Sequence, residues 1–323
     1  MAFSLLIKVN NSNTGRVKRS IYKMKKISIR SILILFSLAI FGPANAQKNL
    51  YLEELKQWDK SRVAALKDPN GWLNLEGLFW FKKGVNSFGS ASTNDLVYNN
   101  PVFPKHLGDF IYEDEKVYWK DGSTEKVIIK DGDLVQNSET LNLLTTTEGQ
   151  YISRWKDFAW IVIQREDKVG VRFRNLKAKT LLEFKGIDRF SVDAKWRIKA
   201  KVIPQNQNPL MIMNVLGQNT AQKHGGQLVF DIEGKTYRLD AIDEGGIRLF
   251  VAFADATSGK TTYGSGRFIE LDRPDIEGFT YIDFNKAYNP PCAFTEFATC
   301  PLPPPQNRLS IAIPAGEKKY GQH

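Results

Sequence analysis

Residues 195–202 read KWRIKAKV, and this stretch decides the fold because apolar and basic side chains alternate in it without a break. A period of two is typical of a β-strand with one buried face, whereas a helix repeats every ~3.6 residues. The apolar positions, which should face a core, are Trp196, Ile198, Ala200 and Val202. The opposite face carries four cations, which could attract an anionic ligand but more often form a solvated face or a protected edge strand.

The same period recurs along most of the chain. Further strands are expected at 116–120, 125–129, 158–165, 169–174, 227–232, 247–253 and 279–284. Short turns separate these apolar runs, among them Asp121-Gly122, Asp131-Gly132, Glu233-Gly234 and Ser258-Gly259. Glycine readily adopts the positive φ angles that tight hairpins need. The sequence therefore predicts a mostly β protein, built as an antiparallel sandwich or barrel.

One short amphipathic helix should precede the strands. Residues 50–67, LYLEELKQWDKSRVAALK, place apolar side chains at near-helical spacing, and Asp68-Pro69-Asn70-Gly71 ends the run. A polar stretch at 145–149, TTTEG, is the expected boundary between two β regions. The predicted organisation is a leader at 1–46, the helix at 47–70, a first β region at 71–149 and a second at 150–323.

The net positive charge of the chain is concentrated in its first 46 residues. Eight of the 45 basic residues and none of the 35 acidic ones lie there, so the rest of the chain is nearly neutral. A nucleic-acid binder keeps its cations on the folded surface, where phosphates can reach them. Nucleic acid is therefore not an expected partner.

The residues from Met24 onward have the layout of a secretory signal peptide. Lys25 and Lys26 precede an apolar run from Ile32 to Phe41, and Ala44-Asn45-Ala46 supplies small residues for a peptidase. The run is too short to span a membrane, so we expect cleavage after Ala46, export to the periplasm or beyond, and no stable membrane insertion afterwards. An uncleaved anchor is the alternative. The lysines after Met24 also favour Met24 over Met1 as the start.

Two familiar catalytic patterns fail in this sequence. Residues 255–262, DATSGKTT, lack the first glycine of a phosphate loop and precede another strand, so they should form a hairpin turn. The histidines are His106, His224 and the terminal His323, which excludes a multi-histidine zinc site. No cofactor and no metal are predicted, and His106 and His224 are expected to be ordinary surface or loop residues.

The proline-rich segment at 281–309 is dense in polar and aromatic side chains. Because prolines lack an N–H group, these side chains could serve only to satisfy the irregular backbone. Rigid loops of this composition are equally typical of binding sites. The residues alone leave both interpretations open.

This segment also carries a resemblance to a known family. DFNKAYNPPCAFTEFATCPLPPPQNRL at 283–309, AGEK at 315–318, YGSGRF at 263–268 and GWLNLEGLFWF at 71–81 resemble the bacterial domain of unknown function 1684 family. The resemblance runs from about Trp58 to Lys318 and implies no established activity. It implies that the following residues form one shared structural or functional centre: Tyr263, Gly266, Arg267, Asp283, Asn285, Asn289, Cys292, Cys300, Asn307, Arg308 and Glu317.

A weaker resemblance lies upstream, within 87–108. Ser87-Phe88-Gly89-Ser90, Asn94-Asp95-Leu96-Val97 and Lys105-His106-Leu107-Gly108 resemble the spacing of a forkhead-associated β-sandwich, a reader of phosphothreonine. That family has an arginine where this chain has Ser90. The resemblance therefore implies the sandwich without its phosphate-binding cation.

The two cysteines, Cys292 and Cys300, lie eight residues apart in a chain expected to be exported. A disulfide is the direct inference for that compartment and would contribute about 2 kcal/mol. The family resemblance implies that the pair also occurs in members without a leader. This keeps a free thiol pair open, as well as a metal site completed by Asp283 and His106.

Three functions remain open on this evidence. The first is a module that binds a small polar or anionic ligand beside the C-terminal loop, with Arg267, Tyr263, Asn285 and Arg308 as contacts. The second is a hydrolase with Asp283 or Asp255 as general base and with Arg267 and Asn289 stabilising an oxyanion. The third is a structural or envelope-interaction protein. They differ in whether Arg267, Asp283 and Asn289 converge in a pocket or are used up by local hydrogen bonds.

Overall fold

The computed structural model describes residues 29–122, 126–136, 140–205 and 209–321, and of residues 29–46 the backbone alone. Residues from Leu52 onward form one compact unit, and those up to Tyr51 form another. Helix α1 covers Ile29–Lys67, so the helix predicted at 50–67 is its C-terminal part. Leu55 and Leu66 of that part are buried, as the periodicity predicts. In the described part of the chain, no helix is long and apolar enough to cross a membrane.

The first β region is a sandwich of two sheets around an aromatic core. Its larger sheet has the order β1-β10-β9-β8-β6-β7, and its smaller sheet has the order β3-β2-β4-β5. The strands are β1 Leu75–Trp80, β2 Gly84–Gly89, β3 Leu96–Val97, β4 Gly108–Glu113, β5 Lys116–Asp121, β6 Ile128–Asp131, β7 Leu134–Gln136, β8 Tyr151–Trp155, β9 Phe158–Arg165 and β10 Lys168–Asn175. Phe88, Trp119, Trp160 and Phe173 are among the fully buried side chains between the sheets.

The boundary predicted between residues 149 and 150 is wrong. Strand β8 pairs with β6, and β10 pairs with β1, so one sheet runs across the proposed boundary. The sandwich therefore continues to Asn175, the end of β10. The polar stretch at 145–149 is a surface loop within it. The two-sheet architecture agrees with a sandwich in this region, while the forkhead-associated resemblance itself stays a prediction.

The second β region is built on a nearly closed antiparallel barrel. Its sheet has the order β17-β16-β15-β14-β11-β18, and the two end strands β17 and β18 also contact each other. Helix α2 Lys179–Leu182 precedes the strands β11 Arg197–Ile203, β12 Leu210–Met213, β13 Asn219–Gln222, β14 His224–Ile232, β15 Lys235–Ile242, β16 Arg248–Phe253, β17 Arg267–Asp272 and β18 Phe279–Asp283. Strands β12 and β13 form a separate hairpin.

The stretch KWRIKAKV behaves largely as its pattern predicts. A short 3-10 turn covers Ala194–Trp196, and β11 follows with Ala200 and Val202 buried. Strand β11 pairs with both β14 and β18, so the edge-strand alternative is wrong. Lys199 and Lys201 lie over the ring of Phe279, which makes this a solvated face whose cations cover an aromatic side chain.

The other strand predictions match within a few residues wherever the structure describes them, although Glu125 of the expected strand at 125–129 lies outside the described residues. Residues 255–262 form the predicted turn between β16 and β17. Gly259 has a φ of 77°, and its N–H donates to the Thr262 carbonyl at 3.0 Å. No phosphate-binding helix follows this turn, since β17 is the next element.

Candidate ligand cavity

Arg267 and Asp255 form an ion pair in the barrel core, away from solvent. Arg267 Nη2 lies 2.6 Å from Asp255 Oδ2, and both side chains are fully buried. The guanidinium also donates to the carbonyls of Ile313 and Ala315, while Asp255 accepts from the N–H of Thr257 and of Ile313. Predicting Arg267 as a ligand contact and Asp255 as a general base was therefore wrong, because the chain itself already uses their charges.

Asp283 and Asn285 are also engaged by the chain. Asp283 Oδ1 accepts from the N–H of Asn285 at 3.1 Å and from its amide Nδ2 at 3.2 Å. Asn285 in turn bonds the backbone of Asp193 in both directions. These contacts tie the end of β18 to the start of β11. Neither residue lines the cavity described below.

Asn289 and Glu317 anchor helix α1 to the C-terminal segment. Glu317 is fully buried and accepts from the backbone and side-chain nitrogens of Asn289 and from Arg62 Nε, the last at 3.2 Å. Arg62 Nη2 donates to the Asn289 carbonyl at 2.8 Å. The oxyanion role predicted for Asn289 is thus replaced by a role in fixing Arg62.

The remaining residues of the predicted centre lie outside these networks, and the Gly266 N–H donates to the Tyr263 carbonyl at 3.1 Å. The side-chain amide of Asn307 makes hydrogen bonds to the backbone of Asp240 and Ala252. These bonds fix the C-terminal loop to the barrel. Gly266 has a φ of 96°, and a Cβ there would meet the Phe253 carbonyl oxygen at 2.5 Å. Arg308 is exposed, and the Tyr263 hydroxyl donates to the Cys292 carbonyl at 3.0 Å. None of these four residues lines the cavity described below.

Cys292 and Cys300 are neighbouring free thiols. The N–H of Cys292 donates to Cys300 Sγ at 3.0 Å. A hydrogen bond from Cys300 lowers the pKa of Cys292, and the same contact together with burial raises the pKa of Cys300. The disulfide on the exported chain stays a prediction.

The two described histidines have local partners. His106 Nε2 lies 2.9 Å from Asp109, and His224 Nδ1 accepts from the N–H of Gly226. His323 lies outside the described residues. Among the residues that the structure describes, no group of three or more His, Cys, Asp or Glu side chains could hold a metal ion.

A cavity of about 500 Å³ opens beside the C-terminal loop, between the sandwich and the barrel. Its aromatic wall includes Trp72, Phe250, Phe268 and Tyr288. The rings of Phe250 and Phe268 lie 4.8 Å apart, and that of Tyr288 lies 5.9 Å from Phe268 at a right angle. The loop residues from Ala298 to Pro301 close one side. This volume is within the range of about 300–1,000 Å³ that small-molecule sites occupy.

Arg172 is the main cation of this cavity. Its accessible surface is 5% of the maximum, and its Nε has no hydrogen-bond partner among the described residues. Nη1 contacts Glu148 at 2.5 Å, Nη2 donates to the Thr299 hydroxyl at 3.2 Å, and the guanidinium lies 5.2 Å from the Trp72 ring. Burial lowers its pKa, an effect that Glu148 opposes. The site therefore favours a further negative group beside Arg172.

Two arginines share one carboxylate on this face of the sandwich, and a third arginine lies beside them. Glu148 bridges Arg172 and Arg165, the latter at 2.7 Å. Arg174 is the next residue on the same face of β10, is also buried, and has Nε and Nη1 without partners in the described part of the chain. Burial and the charge of Arg172 lower the pKa of Arg174 to about 10. Positive charge thus exceeds negative charge around the cavity's arginine end.

Sequence reasoning missed Arg172, Arg174 and Arg165. The signal was available in VRFRN at 171–175, where two arginines alternate with apolar residues inside a predicted strand. The alternation alone indicates a solvated face. Only the tertiary structure shows that Thr299 and the loop cover it.

The family match agrees with the fold subdivision, because it begins after the sandwich ends at Asn175. The sequence profile of the family described as "Protein of unknown function (DUF1684)" matches residues 182–318, a shorter span than the expected one from Trp58. An uncharacterised protein of Haloarcula marismortui, solved by NMR, is 34% identical; the match covers 44% of this chain and 80% of that chain, with a TM-score of 0.37. No curated protein matches the chain.

Proposed function

We propose that this chain, which belongs to the DUF1684 family, is an exported protein that binds a small anionic ligand in the aromatic cavity beside its C-terminal loop. The observation that carries the proposal is Arg172, a cation that is 95% buried and lines the cavity beside its aromatic wall. Hydrogen bonds to charged groups contribute about 1.5–3 kcal/mol, and a guanidinium pairs well with a carboxylate. An anionic ligand in the cavity would therefore be stabilised by the charge of Arg172.

The aromatic wall supports the same proposal. Planar side chains such as Trp72 and Phe268 give a ligand apolar contact, while a small number of polar groups set its orientation. A carboxylate suits Arg172 better than a monatomic anion does, because the N–H groups of a guanidinium lie in one plane and match two oxygens.

Export is the second part of the proposal and rests on the signal-peptide pattern that ends at Ala46. The protein would then meet its ligand in the periplasm or outside the cell. N-terminal sequencing of the purified protein should begin at Gln47. An intact leader would overturn this part alone.

A thermal-shift screen tests the binding part. The panel contains benzoate, phenylacetate, inorganic phosphate and the neutral amide of phenylacetate, with Arg172→Met beside the wild type. A ligand at ~100 times its Kd adds about 2.7 kcal/mol to the stability. The carboxylates should stabilise the wild type but not Arg172→Met. The neutral amide should stabilise neither protein. The exposed Arg238 supplies the matched control, Arg238→Met. Stabilisation by the amide as large as by the acid would refute anion recognition.

A further inference from the structure

The cavity has a second polar end, which is acidic. Glu244, between β15 and β16, and Glu270 on β17 both line it. Phe268 and Glu270 point to the same face of β17 and lie about 7 Å apart along the strand. Phe268 packs against Ala298 and Cys300, which flank the Thr299 that contacts Arg172. The arginine end and the acidic end are therefore separated by the aromatic ring of Phe268.

The acidic end has unused acceptor capacity. Glu244 is exposed and has no hydrogen bond or ion pair with any residue that the structure describes, and partial desolvation together with the charge of Glu270 raises its pKa. Glu270 accepts from the Tyr288 hydroxyl at 3.3 Å and from Arg248 at 3.4 Å, and the pair with Arg248 is half exposed. Both carboxylates are exposed to solvent where they line the cavity, and a cationic group bound between them would relieve their mutual repulsion.

Arg62 lines the same cavity without neutralising this end. Its guanidinium lies 4.6 Å from the Tyr288 ring, and its Nε and Nη2 are used by Glu317 and the Asn289 carbonyl. Glu317 is fully buried and takes up the charge of Arg62. The cavity therefore offers a positive charge at Arg172 and negative charges at Glu244 and Glu270.

We propose that the ligand is a zwitterion of about dipeptide size, with its carboxylate at Arg172, its ammonium group at Glu244 and Glu270, and an apolar body on Phe250, Phe268 and Tyr288. This rests on the proposed function and names its ligand class. A simple amino acid carries both charges on one carbon, whereas Phe268 and Glu270 alone lie about 7 Å apart along β17. A dipeptide with free termini separates them by two residues, about 7 Å of extended chain.

Matched peptides test the two ends separately. Alanyl-phenylalanine and leucyl-leucine are titrated into the purified full chain by calorimetry, each beside its N-acetylated form and its C-terminal amide. Acetylation removes the ammonium and amidation removes the carboxylate, with little change in the apolar body. Both modifications should weaken binding at least about tenfold, since a hydrogen bond to a charged group contributes about 1.5–3 kcal/mol.

Variants assign each loss to its end of the cavity. Glu270→Gln and Glu244→Gln should weaken the free dipeptide but leave the acetylated form unchanged, while Glu277→Gln, at an exposed site outside the cavity, should change neither. If the acetylated form binds as tightly as the free dipeptide, the zwitterion is refuted and anion binding at Arg172 stands. If no peptide binds although benzoate or phenylacetate does, the dipeptide class is refuted. If those carboxylates also fail, the proposed function falls with it.

Discussion

Arg172 Nη2 donates a hydrogen bond to the Thr299 hydroxyl at 3.2 Å, and this contact joins strand β10 of the sandwich to the C-terminal loop of the barrel region. Arg267, by contrast, lies wholly inside the barrel against Asp255. The Nε of each arginine has no partner among the described residues, but Arg267 is enclosed by its own carbonyls and carboxylate, whereas Arg172 lines a cavity. We therefore expect Arg267 to act in stability and Arg172 to act in binding.

Removing the guanidinium of Arg267 should destabilise the protein strongly. Arg267→Met leaves Asp255 buried without its cation, and breaking a buried ion pair in this way costs about 3–5 kcal/mol. Urea unfolding of wild type and variant measures the loss. Arg248→Met is the matched control, since its pair with Glu270 is about half exposed and such pairs contribute roughly 0–1 kcal/mol. Equal losses in both variants would contradict the structural role of Arg267.

Arg172→Met should leave stability nearly unchanged without ligand. The variant removes a desolvated cation, and Glu148 keeps its contact with Arg165 at 2.7 Å and stays partly exposed. We expect a change in the free energy of unfolding within about 1 kcal/mol, because the lost ion pair and the relieved desolvation of the guanidinium oppose each other. The same urea titration checks it. A loss as large as that of Arg267→Met would mean that Arg172 is scaffold.

Glu244→Gln should stabilise the protein at neutral pH and have no effect in acid. Because the folded-state pKa of Glu244 is raised, folding penalises its charged form, and stability falls as the pH rises above the unfolded value of about 4.5. Glutamine removes this penalty, by less than about 1 kcal/mol at so exposed a site. Unfolding curves between pH 3 and pH 8 measure the difference. A difference that grows towards low pH would have the wrong sign.

Cys292 should react with iodoacetamide before Cys300 in the reduced protein. Its pKa is lowered by the hydrogen bond from Cys300, whereas Cys300 is buried and its pKa is raised. Because the thiolate is the nucleophile, Cys300→Ala should slow the alkylation of Cys292 severalfold at neutral pH. Peptide mass spectrometry after timed quenching gives both rates. An unchanged rate at Cys292 in the variant would show that Cys300 does not tune it.

Local patterns in the sequence predict the strands well because side-chain alternation follows directly from strand geometry. The strand at 158–165 has the expected bounds but is buried on both faces as far as Ile163, and β11 begins two residues into KWRIKAKV. The subdivision at 149/150 fails because strand pairing is non-local: β6 and β8, which pair, lie on opposite sides of a polar loop. Polarity along the chain shows where a loop lies but does not show which strands meet across it.

The proposed cavity lies beside the C-terminal loop that the sequence singles out, but the predicted ligand contacts do not line it. The C-terminal loop does border the cavity through Cys300 and Pro301. Arg267 and Asp283 carry the same chemistry as binding residues, but backbone groups distant in sequence, such as the Ile313 carbonyl, determine that Arg267 is structural. Arg172 comes from a strand more than 120 positions before the Thr299 that it contacts. Side-chain type alone cannot predict such a pairing.

Calorimetric titration of phenylacetate into wild type, Arg172→Met and Arg267→Met tests the central claim most directly. The claim predicts that the wild type binds, that Arg172→Met loses affinity by about 10- to 100-fold, the equivalent of a charged hydrogen bond, and that any Arg267→Met protein that still folds binds normally. Unchanged binding in Arg172→Met, with loss only in Arg267→Met, would contradict it and return the ligand site to the residues of the barrel core.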